Sequence, residues 1–137
     1  MADAIVVGAG IFGQSISAEL RRIGMEVLTI DANKPMSGSK PSAGLIKPSW
    51  FSGMRHIFNP AIEKLDQLFG VQDLTFSVGP MSATVHWVPP ALVLMGEYME
   101  AEVIEVEPEQ KQVVLANGEV LSAPIVVIAA GHWTTQI

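Results

Sequence analysis

The stretch Ile5-Val6-Val7-Gly8-Ala9-Gly10-Ile11-Phe12-Gly13 constrains this chain more than any other. It reads as a buried strand, a glycine turn and the first turn of a helix, with G-x-G-x-x-G spacing. Gly8 permits the tight turn, Gly10 lets the backbone approach a pyrophosphate, and Gly13 lets the helix lie close to the strand. The amides at Ile11 and Phe12 and the positive end of the helix dipole would then face phosphate oxygens. Any helix packed tightly on a strand can use such glycines, so context decides. Glu26-Val27-Leu28-Thr29-Ile30 reads as the next strand, and Asp31 ends it 18 residues after Gly13, with Ala32 following. That is close to where an acid accepts ribose hydroxyls. A carboxylate there also repels a 2′-phosphate. Motif and context together predict an adenine-dinucleotide site.

The rest of the chain can be placed from this unit. Ala4 to Val7 is the first strand and Ile11 to Ile23 the first helix, with Ile16, Leu20 and Ile23 at helical spacing and Gly24 as its stop. A strand after so short a turn requires a parallel neighbour and a right-handed crossover. From Asn33 to Ser52 the composition turns to Gly, Pro, Ser and Lys, the signature of a linker or of an ordered loop over a ligand. Ala43-Gly44-Leu45-Ile46 within it argues for order, because small residues let a backbone pass close to a cofactor while Leu45 and Ile46 anchor it. Serine hydroxyls such as those of Ser39 and Ser42, with backbone amides, suit a pyrophosphate.

Asn59-Pro60 predicts a helix start with Pro60 at the first position, Ile62, Leu65, Leu68 and Phe69 on one face, and Gly70 as its end. Asp73 to Val78 and Ser82 to Val88 read as a hairpin turning at Gly79-Pro80, followed by a helical segment from Ala91 to Met99. Glu102 to Glu107 is a strand, and Val113 to Ala116 and Glu119 to Ser122 flank the hairpin turn Asn117-Gly118. Ile125 to Ala129 is a continuous apolar strand of the kind buried in a parallel sheet, and it runs into Ala130-Gly131-His132-Trp133.

At 137 residues the chain is long enough for one core and short for a complete dinucleotide-dependent enzyme. Charged residues are 16% of it, against a usual share of about 25%. A large apolar face buried against another chain is therefore expected in preference to an unusually compact fold. Residues 1–64 carry seven basic and five acidic side chains and residues 65–137 one basic and nine acidic, so the halves stand at +2 and −8. No basic patch for nucleic acid results. Glu97, Glu100, Glu102, Glu105, Glu107 and Glu109 read as a solvated face rather than a metal site. The absence of cysteine excludes disulfides and thiolate catalysis. With no basic segment ahead of the first apolar stretch, and no apolar run near the roughly 18 residues a membrane span needs, a cytoplasmic location is expected.

Three separated segments together resemble the family of FAD-dependent oxidoreductases that includes D-amino-acid oxidase, glycine oxidase and sarcosine oxidase. They are the glycine motif with Asp31, the segment Ser37 to Pro48, and Val126 to Thr134. The resemblance implies a Rossmann-like α/β FAD-binding domain with a parallel sheet, a β-meander hairpin and a reduced antiparallel sheet on the substrate side. It implies one domain over 1–137, with 1–50 and 100–137 as dinucleotide-binding core and 51–99 as a shortened insertion. It places Ser39, Ser42, Ala43, Gly44 and Leu45 beside phosphate or flavin, Val103 at the adenine by a backbone contact, and Ala130, Gly131 and Trp133 on the turn that passes ribose and pyrophosphate. Family members are longer, continuing into a substrate domain and a C-terminal segment over the flavin. The expectation is thus a chain that holds the ADP half of FAD, in a homo- or hetero-oligomer whose other chain completes the site for an amine or amino acid. The alternative is a non-catalytic dinucleotide-binding subunit or truncated remnant acting in assembly. A third reading, an NAD-dependent dehydrogenase, shares the glycine turn and the acid but does not require the Ser39 to Pro48 loop.

No catalytic side chain is assigned, since flavin carries its own redox chemistry and needs no strong base. Lys47 could meet flavin or a substrate anion, but reads better as an exposed loop lysine. His56, His86 and His132 are isolated, without metal spacing, so no metal is expected. Trp50 and Trp87 read as packing residues before pocket residues, and Met36, Met54, Met81, Met95 and Met99 as gap-fillers or interface residues.

Overall fold

The computed structural model describes residues 1–35 and 37–137, and among these the side chains other than those of Pro48, Trp50 and Phe51. The packing expected of Met36 and of the Trp50 ring lies outside the described residues. In chain order the elements are β1 (Ala4–Val7), α1 (Ile11–Arg22), β2 (Val27–Asp31), β3 (Leu45–Ile46), a 3₁₀ helix (Pro48–Met54), α2 (Arg55–Phe69), β4 (Gln72–Val78) and β5 (Met81–Trp87). Then follow α3 (Pro90–Leu94), β6 (Met99–Glu100), β7 (Val103–Glu107), β8 (Gln112–Leu115), β9 (Val120–Ser122), β10 (Ile125–Ile128) and a second 3₁₀ helix (Gly131–Gln136). They form two compact units, Met1–Pro41 with Leu94–Ile137, and Ser42–Val93.

The first unit is α/β, built on a parallel sheet in the order β10-β1-β2-β6. Ala-Ile-Val-Val in β1 is apolar on both faces, and all four residues are buried, as a central parallel strand requires. On one face Val6 and Thr29 lie side by side toward α1. On the other, Ile5, Val7 and Ile30 join Val103, Val113, Leu115 and Ala123 in the core. Val103, Val113 and Leu115 belong to the antiparallel meander β7-β8-β9, so helix, parallel sheet and meander stack as three layers. Gly118, at φ +85, makes the turn between β8 and β9.

Helix α1 corrects the expected buried stripe. Its buried residues are Gly13, Gln14 and Ser17, while Ile23 is 59% exposed. The helix starts so close to β1 that only small or hydrogen-bonded side chains fit between, and the Ser17 and Thr29 hydroxyls close the gap at 2.8 Å. The larger aliphatics are displaced to the flanks. Strand β10 likewise differs from a strand buried on both sides: it is the edge of the sheet, with Ile125 and Ile128 40% and 42% exposed. The segment predicted as helix from Ala91 to Met99 is helical only to Leu94, because Met99 and Glu100 pair with Ile30 and Asp31 to form β6.

In the second unit β5 lies between β3 and β4, all antiparallel, and the β4–β5 hairpin turns at Gly79, at φ +57. Helix α2 starts at Arg55, not at Pro60, which sits inside it. One proline removes only the bond its amide would make to residue 56, and the apolar face continues past it. Gly70, at φ +75, ends the helix and donates its amide to the Asp66 carbonyl.

Candidate functional site

The glycine turn lies at the C-terminal end of β1, between the ends of β10 and β2. Gly8 has φ +107, and a Cβ on it would lie 2.3 Å from the Ala129 carbonyl oxygen. A Cβ on Gly13 would lie 1.8 Å from the Gly8 carbonyl oxygen. Packing within the fold thus requires both glycines. Gly10 differs, since φ −71 and ψ −174 suit any residue. A Cβ there would first meet Ser39 Oγ, at 3.0 Å. The first intrahelical bond runs from Gln14 N–H to the Gly10 carbonyl at 2.9 Å, so the amides of Ile11, Phe12 and Gly13 have no acceptor within the helix. Ile11 N–H donates to Ser39 Oγ at 2.9 Å, which leaves the hydroxyl proton of Ser39 to be donated elsewhere.

Asp31 ends β2, and its carboxylate is held by backbone amides on both oxygens. Ala9 N–H donates to Oδ2 and Asn33 N–H to Oδ1, each at 2.6 Å. An ionised carboxylate has about four lone-pair sites, so two further donors can be accepted. Ala32 follows, and Asn33, at φ +51, donates from Nδ2 to Glu100 Oε2 at 3.3 Å and accepts from Lys40 Nζ at 2.5 Å. Lys34 pairs with Glu102 at 2.7 Å, and its Nζ stands 6.0 Å from the centroid of the Trp133 ring. Beyond β10, Ala130 caps the 3₁₀ helix, Gly131 takes φ +61, and the His132 and Trp133 rings lie 3.6 Å apart between centroids. At the far end of α1, the hydrogen bond and charge of Glu19 raise the Arg22 guanidinium above its usual value.

The first unit therefore gathers Gly8, Gly10, Ile11, Phe12, Gly13, Asp31, Ala32, Ser39, Ala130, Gly131 and Trp133 at the C-terminal ends of β1, β2 and β10. Val103 opens β7 in the same unit, its side chain buried in the core and its backbone paired with Leu115. Ser42, Ala43, Gly44 and Leu45 belong to the second unit and have contacts of their own there. Ser42 Oγ accepts the Gly44 amide, the Ala43 carbonyl accepts Trp87 Nε1–H at 3.1 Å, and Leu45 pairs with Trp87. Gly44 has φ +68, and a Cβ on it would lie 2.0 Å from the Val88 carbonyl oxygen.

Two pairs escape a reading by motif. His86 Nδ1 meets Asp73 Oδ1 at 2.7 Å across the β4–β5 hairpin, so this histidine is not isolated. The two positions are equidistant from the Gly79-Pro80 turn, and that register was the available signal. Gln14, 3% exposed, donates from Nε2 to the Gly96 carbonyl at 3.1 Å, a contact across 82 positions with no signal in either segment. Among the described residues no group of three His, Asp or Glu is placed to hold a metal ion. No helix is long and apolar enough to cross a membrane among those residues. A groove of about 370 Å³ between Val106, Pro108 and β10 contains one titratable side chain, Lys111.

No family model matches the sequence, and no curated protein matches it. Among solved structures the fold is similar to that of glycine oxidase from Bacillus cereus ATCC 14579, at 18% identity and a TM-score of 0.60, over 100% of this chain and 57% of that one. It is similar to iminodiacetate oxidase from Chelativorans sp. BNC1, at 16% identity and a TM-score of 0.63, over 98% of this chain and 56% of that one. A halogenase mutant solved in complex with FAD matches at 18% identity and a TM-score of 0.56, over 94% of this chain and 34% of that one. The chain spans a little over half the length of the two oxidases. The shared fold is a Rossmann-like α/β fold with a parallel sheet.

Proposed function

We propose that this chain binds FAD at the glycine turn of its first unit and serves as the cofactor-holding chain of a flavin-dependent oxidoreductase acting on the C–N bond of an amine or amino acid. The observation that carries this reading is Gly10. Its backbone conformation demands no glycine, and the one atom a side chain there would crowd is the hydroxyl of Ser39, itself a donor facing the turn, so a glycine here keeps the approach to the turn open. The first-turn amides and the Ser39 hydroxyl supply donors there, as a pyrophosphate needs.

The residues fit the cofactor in their donor chemistry. Phe12 N–H, Gly13 N–H and Ser39 O–H bind pyrophosphate oxygens, and the remaining lone pairs of Asp31 accept the ribose hydroxyls. Ala32, Val103 and the Ala130-Gly131 turn line the adenosine half, and Trp133 flanks it. When bound, FAD supplies the redox chemistry, taking two electrons from the substrate. The chain's own residues bind and orient, and no side chain is assigned as an acid or base. Membership of the D-amino-acid oxidase family, a cytoplasmic location and a second chain that completes the substrate site belong to the same proposal. The chain spans 57% and 56% of the two oxidases. The alternative is a non-catalytic dinucleotide-binding subunit or truncated remnant acting in assembly.

The test is to purify the chain, record its absorbance spectrum, and identify any chromophore released by heat. A flavin spectrum yielding FAD supports the reading, and screening amines and amino acids with the chain alone and with candidate partners separates catalyst from subunit. A chain that takes up NAD and not FAD, or neither, would overturn it.

A further inference from the structure

We propose that Lys34 and Trp133 form a clasp across the mouth of the dinucleotide crevice, gating entry and exit. The inference rests on the dinucleotide reading above. Lys34 lies three residues beyond the end of β2, and Trp133 five residues beyond the end of β10. β1 runs between those two strands, and its end carries the glycine turn. A contact between Lys34 and Trp133 therefore spans the end of β1. The ammonium stands 6.0 Å from the indole centroid, within range of the attraction between a cation and an aromatic face.

Both halves of the contact are braced from behind. Glu102 holds the Lys34 ammonium at 2.7 Å. The His132 ring lies against the Trp133 ring at 3.6 Å. Neither Lys34 nor Glu102 lies within the glycine turn or packs in the core, so nothing in the fold requires them to meet there. A ligand whose pyrophosphate reaches the first turn of α1 while its ribose reaches Asp31 must pass this contact in either direction. Opening it separates a charge from an aromatic ring and leaves the pairing of β1 with β10 and β2 intact.

The test compares FAD uptake and release by stopped-flow flavin fluorescence in the unaltered chain and in the variants Lys34→Met and Glu102→Gln. Lys34→Met removes the cation, and Glu102→Gln leaves the cation but removes its brace. Loss of a half-buried contact of this kind should speed both uptake and release about three- to fivefold. Acceleration of both rates in both variants supports the clasp. Equal rates in all three proteins would overturn it while leaving the FAD reading intact. Slower uptake with unchanged release in Lys34→Met would make Lys34 an electrostatic attractor for the pyrophosphate, and would also overturn the clasp. Absence of FAD uptake by the unaltered chain would overturn the dinucleotide reading and the clasp with it.

Discussion

The Asp31 carboxylate accepts a hydrogen bond from the Ala9 amide at 2.6 Å, tying the end of β2 to the middle of the glycine turn. Ala9 is buried, so its amide has little access to water as a replacement acceptor. The same carboxylate accepts Asn33 N–H with its other oxygen. Asp31 is thus a structural residue of the turn as well as the acid proposed to meet ribose.

Asp31→Ala should accordingly lose both stability and affinity. Hydrogen bonds to a charged group are each worth about 1.5–3 kcal/mol, and water can replace the acceptor at the exposed Asn33 amide but not at the buried Ala9 amide, so unfolding free energy should fall by about 2 kcal/mol and FAD affinity by a similar amount. Asp31→Asn keeps one acceptor but turns an amide N–H₂ toward one of the two donors, and should lie between. Urea unfolding and FAD titration of both variants check this. An Asp31→Ala chain with unchanged stability would contradict the bonds to Ala9 and Asn33, and one with unchanged affinity would remove Asp31 from the ribose.

Gly10 and Gly13 should separate function from fold. At Gly13 a methyl would stand 1.8 Å from the Gly8 carbonyl oxygen, inside any tolerable contact. Gly13→Ala must push α1 off the turn and should cost about 3 kcal/mol or more. At Gly10 the backbone accepts alanine, and only Ser39 Oγ at 3.0 Å has to give. Gly10→Ala should fold with about 1 kcal/mol lost or less, as suits displacement of one part-buried hydrogen bond, yet take up FAD poorly. Thermal melts beside FAD titrations provide the comparison. A Gly10→Ala chain that binds FAD normally would leave the turn as a packing device.

The order of strands and turns around the first unit was legible because each depends on local chemistry. β1 is apolar without interruption, Gly24 and Gly118 take positive φ where stops and turns were expected, and β2 follows a turn too short for anything but a crossover. Helix α1 was read less well, because helical spacing of Ile16, Leu20 and Ile23 reports amphipathicity but not which flank meets the sheet. The close approach at Gly13 decided that, and nearness is a property of two elements together. The same limit hid β6, whose two residues are strand only because β2 offers an edge. At the candidate site, the glycines and Asp31 were visible from spacing. That Gly8 and Gly13 face backbone while Gly10 faces only the Ser39 hydroxyl, and that Lys34 meets Trp133, are properties of the tertiary structure.

Gln14 and Gly96 provide a test of tertiary structure with no motif behind it. Gln14 is buried, and its Nε2 donates to the Gly96 carbonyl at 3.1 Å. Gly96 is not at positive φ, so its backbone would accept alanine. The obstacle is Gln14 itself, whose Oε1 would lie 1.9 Å from the added Cβ. Gly96→Ala must expel or rotate a buried amide, and should cost about 1–3 kcal/mol through the unsatisfied polar groups left behind. Gln14→Ala should cost a similar amount by leaving the Gly96 carbonyl without its donor. In the double variant the added methyl no longer meets the amide, so the two losses should fall short of their sum by about 1 kcal/mol or more. Urea unfolding of the four proteins gives the coupling directly. Additivity within about 0.5 kcal/mol would mean that the two residues do not touch, and that α1 is not tied to the approach to β6 as the structure has it.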